Sequence, residues 1–288
     1  MDGAAGFAIP TRYGQSLRVQ ETDSDSRLDW SSFDEENRCW FRGSFDTGSL
    51  EILDSSDQKV ATTLSGILKA SREINAEFLA KGLSYSCETS LNFPRNWGLG
   101  SSSTLINNIA SWAEVNPYQL LQNTMGGSGY DIACAGINQP LIYRRNAFSP
   151  IIDQISYAPS FADQLYFIHL GNKQDSREGI NRYRSVSKSK ESAIRELDAL
   201  TERFIAAETL QQLNAVIKTH EALISKFLEI ECVKERLFPD FWGEIKSLGA
   251  WGGDFVLVSS DRNPQDTSHY FHQKGYPDVI RFNDMIFA

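Results

Sequence analysis

Cysteine is scarce and scattered. Cys39, Cys87, Cys134 and Cys232 stand far apart with no CxxC pair, so their spacing supports neither a zinc site nor a disulfide framework, and buried reduced thiols are expected. Long apolar runs are missing as well. No stretch approaches the ~18–20 residues that a membrane-spanning helix needs. The opening Met1-Asp-Gly-Ala-Ala-Gly also lacks the charged-then-apolar order of a secretory signal. A membrane is therefore not an expected partner, and the cytoplasm is the expected location. Nor is there a block of lysine and arginine. With 28 basic against 37 acidic residues the formal charge is -9, and without a basic stripe nucleic acid is not expected either. His220, His269 and His272 have no metal-ligand spacing with cysteines or carboxylates and are assigned no site.

The residues that are present describe a folded chain. Hydrophobic residues make up 41% and charged residues 23% of 288 positions, near the globular average and enough for a large core. Aromatic and β-branched residues among turn formers predict short strands within Ala8–Val19 and Cys39–Phe45, with the polar stretch Glu21–Asn37 between them read as loop. Val60, Leu64, Ile67, Leu68, Ile74 and Phe78 fall at helical spacing. Leu83, Tyr85, Cys87, Thr89 and Leu91 then alternate with polar residues, as on a half-buried strand. A helix carrying Leu105, Ile106, Ile109 and Trp112 comes after the loop 95–103. Further on, Gln164–Leu170, Phe255–Val258 and Val279–Phe282 read as strands, and Lys188–Phe204 and Leu210–Phe227 as helices. Strands and helices without regular βαβ spacing predict an α+β fold, strand-richer in its first half.

The sharpest local feature is Pro94-Arg-Asn-Trp-Gly-Leu-Gly-Ser-Ser-Ser103. Its small residues let backbone N–H groups approach an anion, and the next helix points its positive end at the same place. It is not a Walker loop, because no lysine stands after the second glycine. On local physics alone a helix cap and a phosphate cradle are equally good readings. Two further stretches share this ambiguity. In Gly126-Gly-Ser-Gly-Tyr-Asp-Ile-Ala133 the aspartate either closes a turn or does chemistry, and Lys246-Ser-Leu-Gly-Ala-Trp-Gly-Gly-Asp254 is either a tight turn into a strand or part of a site.

The order of these three stretches resembles that of the GHMP kinases, the family of galactokinase, homoserine, mevalonate and phosphomevalonate kinases, and the variety bearing Gly-Tyr-Asp-Ile-Ala in particular. The first stretch is similar to the family's second motif, P-x-x-x-G-L-G-S-S-[AS]. The second is similar to the segment carrying the catalytic aspartate, and the third to the C-terminal glycine-rich motif, here interrupted by Trp251. The resemblance implies a two-lobe fold: a ribosomal-protein-S5-like lobe, assigned residues 1–150, and a ferredoxin-like lobe, assigned 151–288. It also implies ATP and Mg²⁺ as cofactors and a small anionic metabolite as substrate, and it admits a homodimer. The phosphates would lie on Asn96, Gly98, Leu99, Gly100, Ser101, Ser102 and Ser103, with Ser102 also on the metal. Asp131 would be the catalytic base, and Ser128, Gly129, Gly252 and Gly253 would border the substrate. Lys173 and Arg177 fall in the acceptor region, either meeting an anionic group or lying in a solvated loop.

Three departures bear on competence. The family opens with a strand bearing a basic residue, whereas Met1-Asp-Gly-Ala resembles the segment after that strand, so a truncated start is expected. The glutamate that holds Mg²⁺ in the family has no counterpart in Tyr118-Gln-Leu-Leu-Gln-Asn123, and Ser103 replaces the commoner alanine. The sequence thus supports a mevalonate- or phosphomevalonate-kinase-like phosphotransferase, with a catalytically impaired nucleotide- or metabolite-binding member as the alternative. An ATP-dependent decarboxylase on the same fold is a third reading.

Overall fold

The computed structural model describes residues 3–22, 26–80, 82–171, 176–186, 190–249, 251 and 253–287, with the side chains of 176–178 and 180 left aside. The first half of the chain runs β1 (Gly6–Ala8), β2 (Gln15–Thr22), β3 (Arg27–Phe33), β4 (Cys39–Asp46), β5 (Ile52–Ser55), α1 (Gln58–Ile74), β6 (Ser84–Leu91), α2 (Ser101–Trp112), α3 (Pro117–Thr124), α4 (Tyr130–Gly136) and β7 (Leu141–Arg144). Five of these strands form one sheet in the order β2-β6-β3-β4-β5, antiparallel except for the β3–β6 pair. One face of it carries Leu28, Trp30, Phe41, Phe45, Tyr85 and Cys87 against Leu64, Ile67 and Leu68 of α1, Ile106 and Ile109 of α2, and Leu120 and Leu121 of α3. The opposite face is wet, with Arg18, Gln20, Asp29, Arg42 and Glu88 exposed.

The expected loop at 21–37 is corrected here, because its centre is β3, an interior strand of that sheet. Leu28, Trp30 and Ser32 point into the core while Arg27 and Asp29 face water, so a period-two pattern exists beneath a polar composition. Ser32 is tolerated in this buried place because it is hydrogen-bonded: Trp30 Nε1 donates to its hydroxyl at 3.1 Å and Thr89 Oγ1 donates at 2.8 Å.

The second half continues with β8 (Ile151–Gln154), β9 (Leu165–His169), α5 (Ser176–Ser185), α6 (Lys190–Ile205), α7 (Leu210–Leu228), α8 (Val233–Leu237), β10 (Ile245–Ser247), β11 (Phe255–Ser259), α9 (Pro264–Gln273), β12 (Val279–Arg281) and α10 (Phe282–Met285). An antiparallel sheet, β10-β11-β9-β12, lies at its centre. Every residue of β9 and β11 is buried, because the sheet is covered on both sides. Leu165, Phe167, Phe255 and Leu257 face Leu200, Phe204, Leu213 and Ile217 of α6 and α7. Tyr166, Ile168, Val256 and Val258 face Val233, Phe238, Phe241 and Phe271. The solvated loop expected around Arg177 is instead helical from Ser176 onward, and Lys173 lies outside the described residues.

A small sheet, β1-β7-β8, ties the halves together. Asp198 of α6 accepts from the Ala5 amide at 2.7 Å and pairs with Arg144 of β7 at 3.0 Å. Among the described residues no helix is long and apolar enough to cross a membrane. The four cysteines are free thiols, and Cys87 is fully buried.

Candidate active site

The glycine-serine loop turns on two left-handed residues, Gly98 (φ 68°) and Gly100 (φ 73°), conformations in which any other residue carries strain. Gly100 occupies the cap position of α2, and no side chain caps that helix. The first-turn amides are therefore presented outward rather than consumed locally. Ser101 and Ser103 are half-buried and Ser102 is exposed. Among the described residues none of their hydroxyls has a hydrogen-bond partner. The helix is fixed against β2, since Asn108 donates to the Gln15 carbonyl at 2.8 Å and Thr104 Oγ1 to the Gln15 side chain at 3.2 Å.

The loop does not hang free. Trp97 stacks edge-on against Tyr13 (5.2 Å) and Phe255 (5.6 Å), and lies beside His169 (6.1 Å). Trp97 and Leu99 both pack on the core formed by β9, β11, α6 and α7. Buried His169 bridges the carbonyl of Asn96 and the carboxylate of Asp278, each at 3.3 Å. A loop emerging from the first sheet is thus seated in the second. Asn96 takes part through its backbone and Leu99 through its packing, while Gly98 lies against Asp254 and Gly100 beside Asp131.

Asp131 approaches the start of α2 from the first turn of α4. A Cβ placed on Gly100 would lie 3.6 Å from the Asp131 Cβ and 3.9 Å from its Cγ, so the aspartate and the start of α2 share one face. Its position is set by its neighbours. Gly129 (φ 78°) admits no side chain, since a Cβ there would meet Tyr118 and the Tyr143 hydroxyl at 2.9 Å. Tyr143 also donates to the Ser128 carbonyl at 2.6 Å, and the Tyr130 hydroxyl donates to the Phe7 carbonyl. Asp131 is exposed to solvent on one side but crowded by protein elsewhere. That crowding, and after it the charge of Asp254, holds its carboxyl above the usual carboxylate range. Burial first and Asp131 second push the nearby Cys134 thiol up to about 12, which keeps it protonated and unreactive.

Asp254 is the residue that motif reading passes over. It ends the C-terminal glycine-rich stretch, and its carboxyl group lies against Gly98: a Cβ there would fall 2.2–2.5 Å from its carboxyl atoms. Gly253 beside it is buried, and Gly252 lies outside the described residues. Trp251, where the family pattern has glycine, adopts φ 63° and stacks on Tyr183 of α5 at 6.1 Å. In α3, which offers no carboxylate, Gln122 serves the fold by donating to the Gly127 carbonyl at 3.0 Å. Among the described residues no three His, Cys, Asp or Glu gather as a metal site. The donor set around the loop, two carboxylates and serine hydroxyls, is nonetheless the hard-oxygen chemistry that Mg²⁺ takes together with substrate phosphates.

No protein-family model matches the chain, and no curated protein matches it either. Solved structures do. A mevalonate kinase superposes with a TM-score of 0.67 at 15% identity, over 99% of this chain and 94% of that one. Galactokinase of Lactococcus lactis, solved with galactose, gives 0.62 at 13% over 100% and 89%. Phosphomevalonate kinase of Streptococcus pneumoniae, solved with phosphomevalonate and AMPPNP, gives 0.62 at 12% over 94% and 97%. Identities this low establish architecture: the fold is the α+β fold of the GHMP kinases. These three are kinases, and mevalonate diphosphate decarboxylase of Staphylococcus aureus shares the fold as well, with a TM-score of 0.56 at 12% identity over 94% of this chain and 82% of that one.

Proposed function

We propose that this chain is an ATP-dependent phosphotransferase of the GHMP type, acting on a hydroxyl or phosphate group of a small anionic metabolite such as mevalonate or phosphomevalonate. In this reading residues 1–150 form the nucleotide lobe and 151–288 the lobe that completes the site, in a cytoplasmic protein. One observation carries it. Asp131 lies against Gly100, at the uncapped start of α2 where phosphate would bind.

The backbone amides of Gly98, Leu99, Gly100 and Ser101, with the hydroxyls of Ser101–Ser103, would cradle the phosphates. Asp131 would orient the acceptor oxygen and receive its proton as the new P–O bond forms and the bond to the departing ADP breaks. Its raised proton affinity suits that role. Mg²⁺, held by Ser102 with the phosphates, would neutralise charge on the transferring group. Ser128, Gly129 and Gly253 would border the acceptor.

Calorimetry with ATP and Mg²⁺, paired with an ADP-release assay over mevalonate, phosphomevalonate and galactose, tests the reading. Asp131→Ala should keep nucleotide binding and lose roughly 10²–10⁴-fold in turnover, while Ser102→Ala should weaken binding itself. The absence of a carboxylate from α3 favours a second reading, a binding protein of the same fold without turnover. Tight ATP binding with no ADP release on any acceptor would select it, and no ATP binding at all would dismiss both.

A further inference from the structure

The glycine-serine loop is tied to the second sheet through one ring, His169 at the end of β9. Phe255 closes on that ring at 5.0 Å and Trp97 at 6.1 Å, and only 3% of the side chain meets solvent. Nδ1 faces the Asp278 carboxylate and Nε2 faces the Asn96 carbonyl. Neither partner has a proton to give: a peptide carbonyl and a carboxylate both only accept. Both bonds are therefore made only by the imidazolium, which carries a proton on each nitrogen. In the neutral ring one nitrogen is a lone pair. Asp278 keeps the remaining proton on Nδ1, because a bond to a carboxylate is the stronger of the two. The lone pair then falls on Nε2 and faces the oxygen of Asn96, and two acceptors in contact repel. Loss of one proton thus turns the tie into a push, applied two residues ahead of Gly98.

Burial opposes a charged ring, and a carboxylate in direct contact offsets that cost. Among the described residues the other titratable groups on the surrounding elements have different places. Asp254, ahead of β11, lies with its carboxyl group against Gly98, and Arg95 of the loop lies over the Trp40 ring at 3.7 Å. Tyr13 stacks on Trp97, and Arg281 of β12 pairs in register with Tyr166, three residues back along β9. Asp278 is the charge that faces the ring.

We propose that His169 is a positioning residue whose protonation seats the glycine-serine loop, so that binding of a nucleotide's phosphates on that loop is linked to uptake of a proton by His169. This rests on the phosphate-cradle part of the reading above and is independent of the acceptor. The charged ring also lends the loop a positive charge that suits an anionic ligand.

The test is calorimetry of AMPPNP binding with Mg²⁺ to the full chain, in buffers of different ionisation heat so that protons taken up are counted, for the wild type, His169→Gln and Asp278→Asn. Protonation of the nucleotide itself is common to all three and cancels in the comparison. The wild type should take up a proton that His169→Gln does not, and its affinity should fall roughly 10-fold more than that variant's as pH rises from about 6 to about 9. Glutamine offers a neutral donor, so a ring that served only as a packed hydrogen-bond donor would give the two chains parallel profiles. Asp278→Asn removes the carboxylate that holds the second proton and should move the wild-type fall to lower pH. Melting curves check folding. If His169→Gln does not fold, Asp278→Asn, a change at a side chain 42% exposed, decides: an unmoved profile overturns the proposal. Equal proton uptake by the wild type and a folded His169→Gln also overturns it, and leaves the phosphotransferase reading standing. A wild type that binds no nucleotide overturns both.

Discussion

The two large sheets reach a stable core by different routes. The five-stranded sheet has one dry face, and its strand β6 alternates buried and exposed positions along most of its length. The four-stranded sheet is covered on both faces, and β9 and β11 bury every side chain. A sheet covered on one side can lend its loops to solvent and ligand, whereas one covered on both sides is a stiff block. The candidate site lies where a loop of the first kind is seated on a block of the second.

The largest test of that contrast is a pair of truncations. Phe167 stacks on Phe282 at 5.7 Å within the doubly covered sheet, so Phe167→Ala should cost about 3–5 kcal/mol in denaturant unfolding. Half-buried Leu17 packs at the rim of the other core, and Leu17→Ala should cost less than half as much. Equal losses would erase the distinction. A smaller effect probes the seat between the sheets. Trp97→Ala should weaken nucleotide binding about tenfold, roughly 1.4 kcal/mol, with a fall in melting temperature, because the loop would lose its anchor on Phe255 and Tyr13. Unchanged affinity would show that the loop holds its shape without its contact on the second sheet.

The smallest effect concerns charge. The folded chain holds the Asp131 carboxyl above its ordinary value of 3.8, so the fold binds this proton more tightly than the unfolded chain does. The stability this contributes is complete below that ordinary value and is lost as pH rises through the folded one. Near neutrality the ionised carboxylate is a local burden. Asp131→Asn should therefore melt above the wild type near neutral pH, with the difference shrinking in acid. A gap that widened in acid would contradict the sign.

Much of the candidate site is legible in the sequence because it is written in backbone conformation. Gly98, Gly100 and Gly129 all adopt positive φ, and only glycine meets that demand without strain, so the requirement surfaces as a local motif. The buried strands β9 and β11 announce themselves as continuous apolar runs. The features that stay hidden depend on partners far along the chain. β3 looks like a loop because Arg27, Asp29 and Ser31 obscure the alternation of Leu28, Trp30 and Ser32, and its interior place is set by β6 and β4. Asp254 looks like the end of a turn until Gly98 is found beneath its carboxylate. The seat of Trp97 and the bridge through His169 likewise join residues from opposite halves of the chain.

The seating of Trp97 also has a kinetic side. Folding has already fixed the loop against the second sheet, so an arriving nucleotide would meet loop amides that are in place. Association should then be governed by diffusion and by the repulsion between an anionic ligand and a chain of formal charge -9. Raising ionic strength, which screens that repulsion, would speed binding rather than slow it.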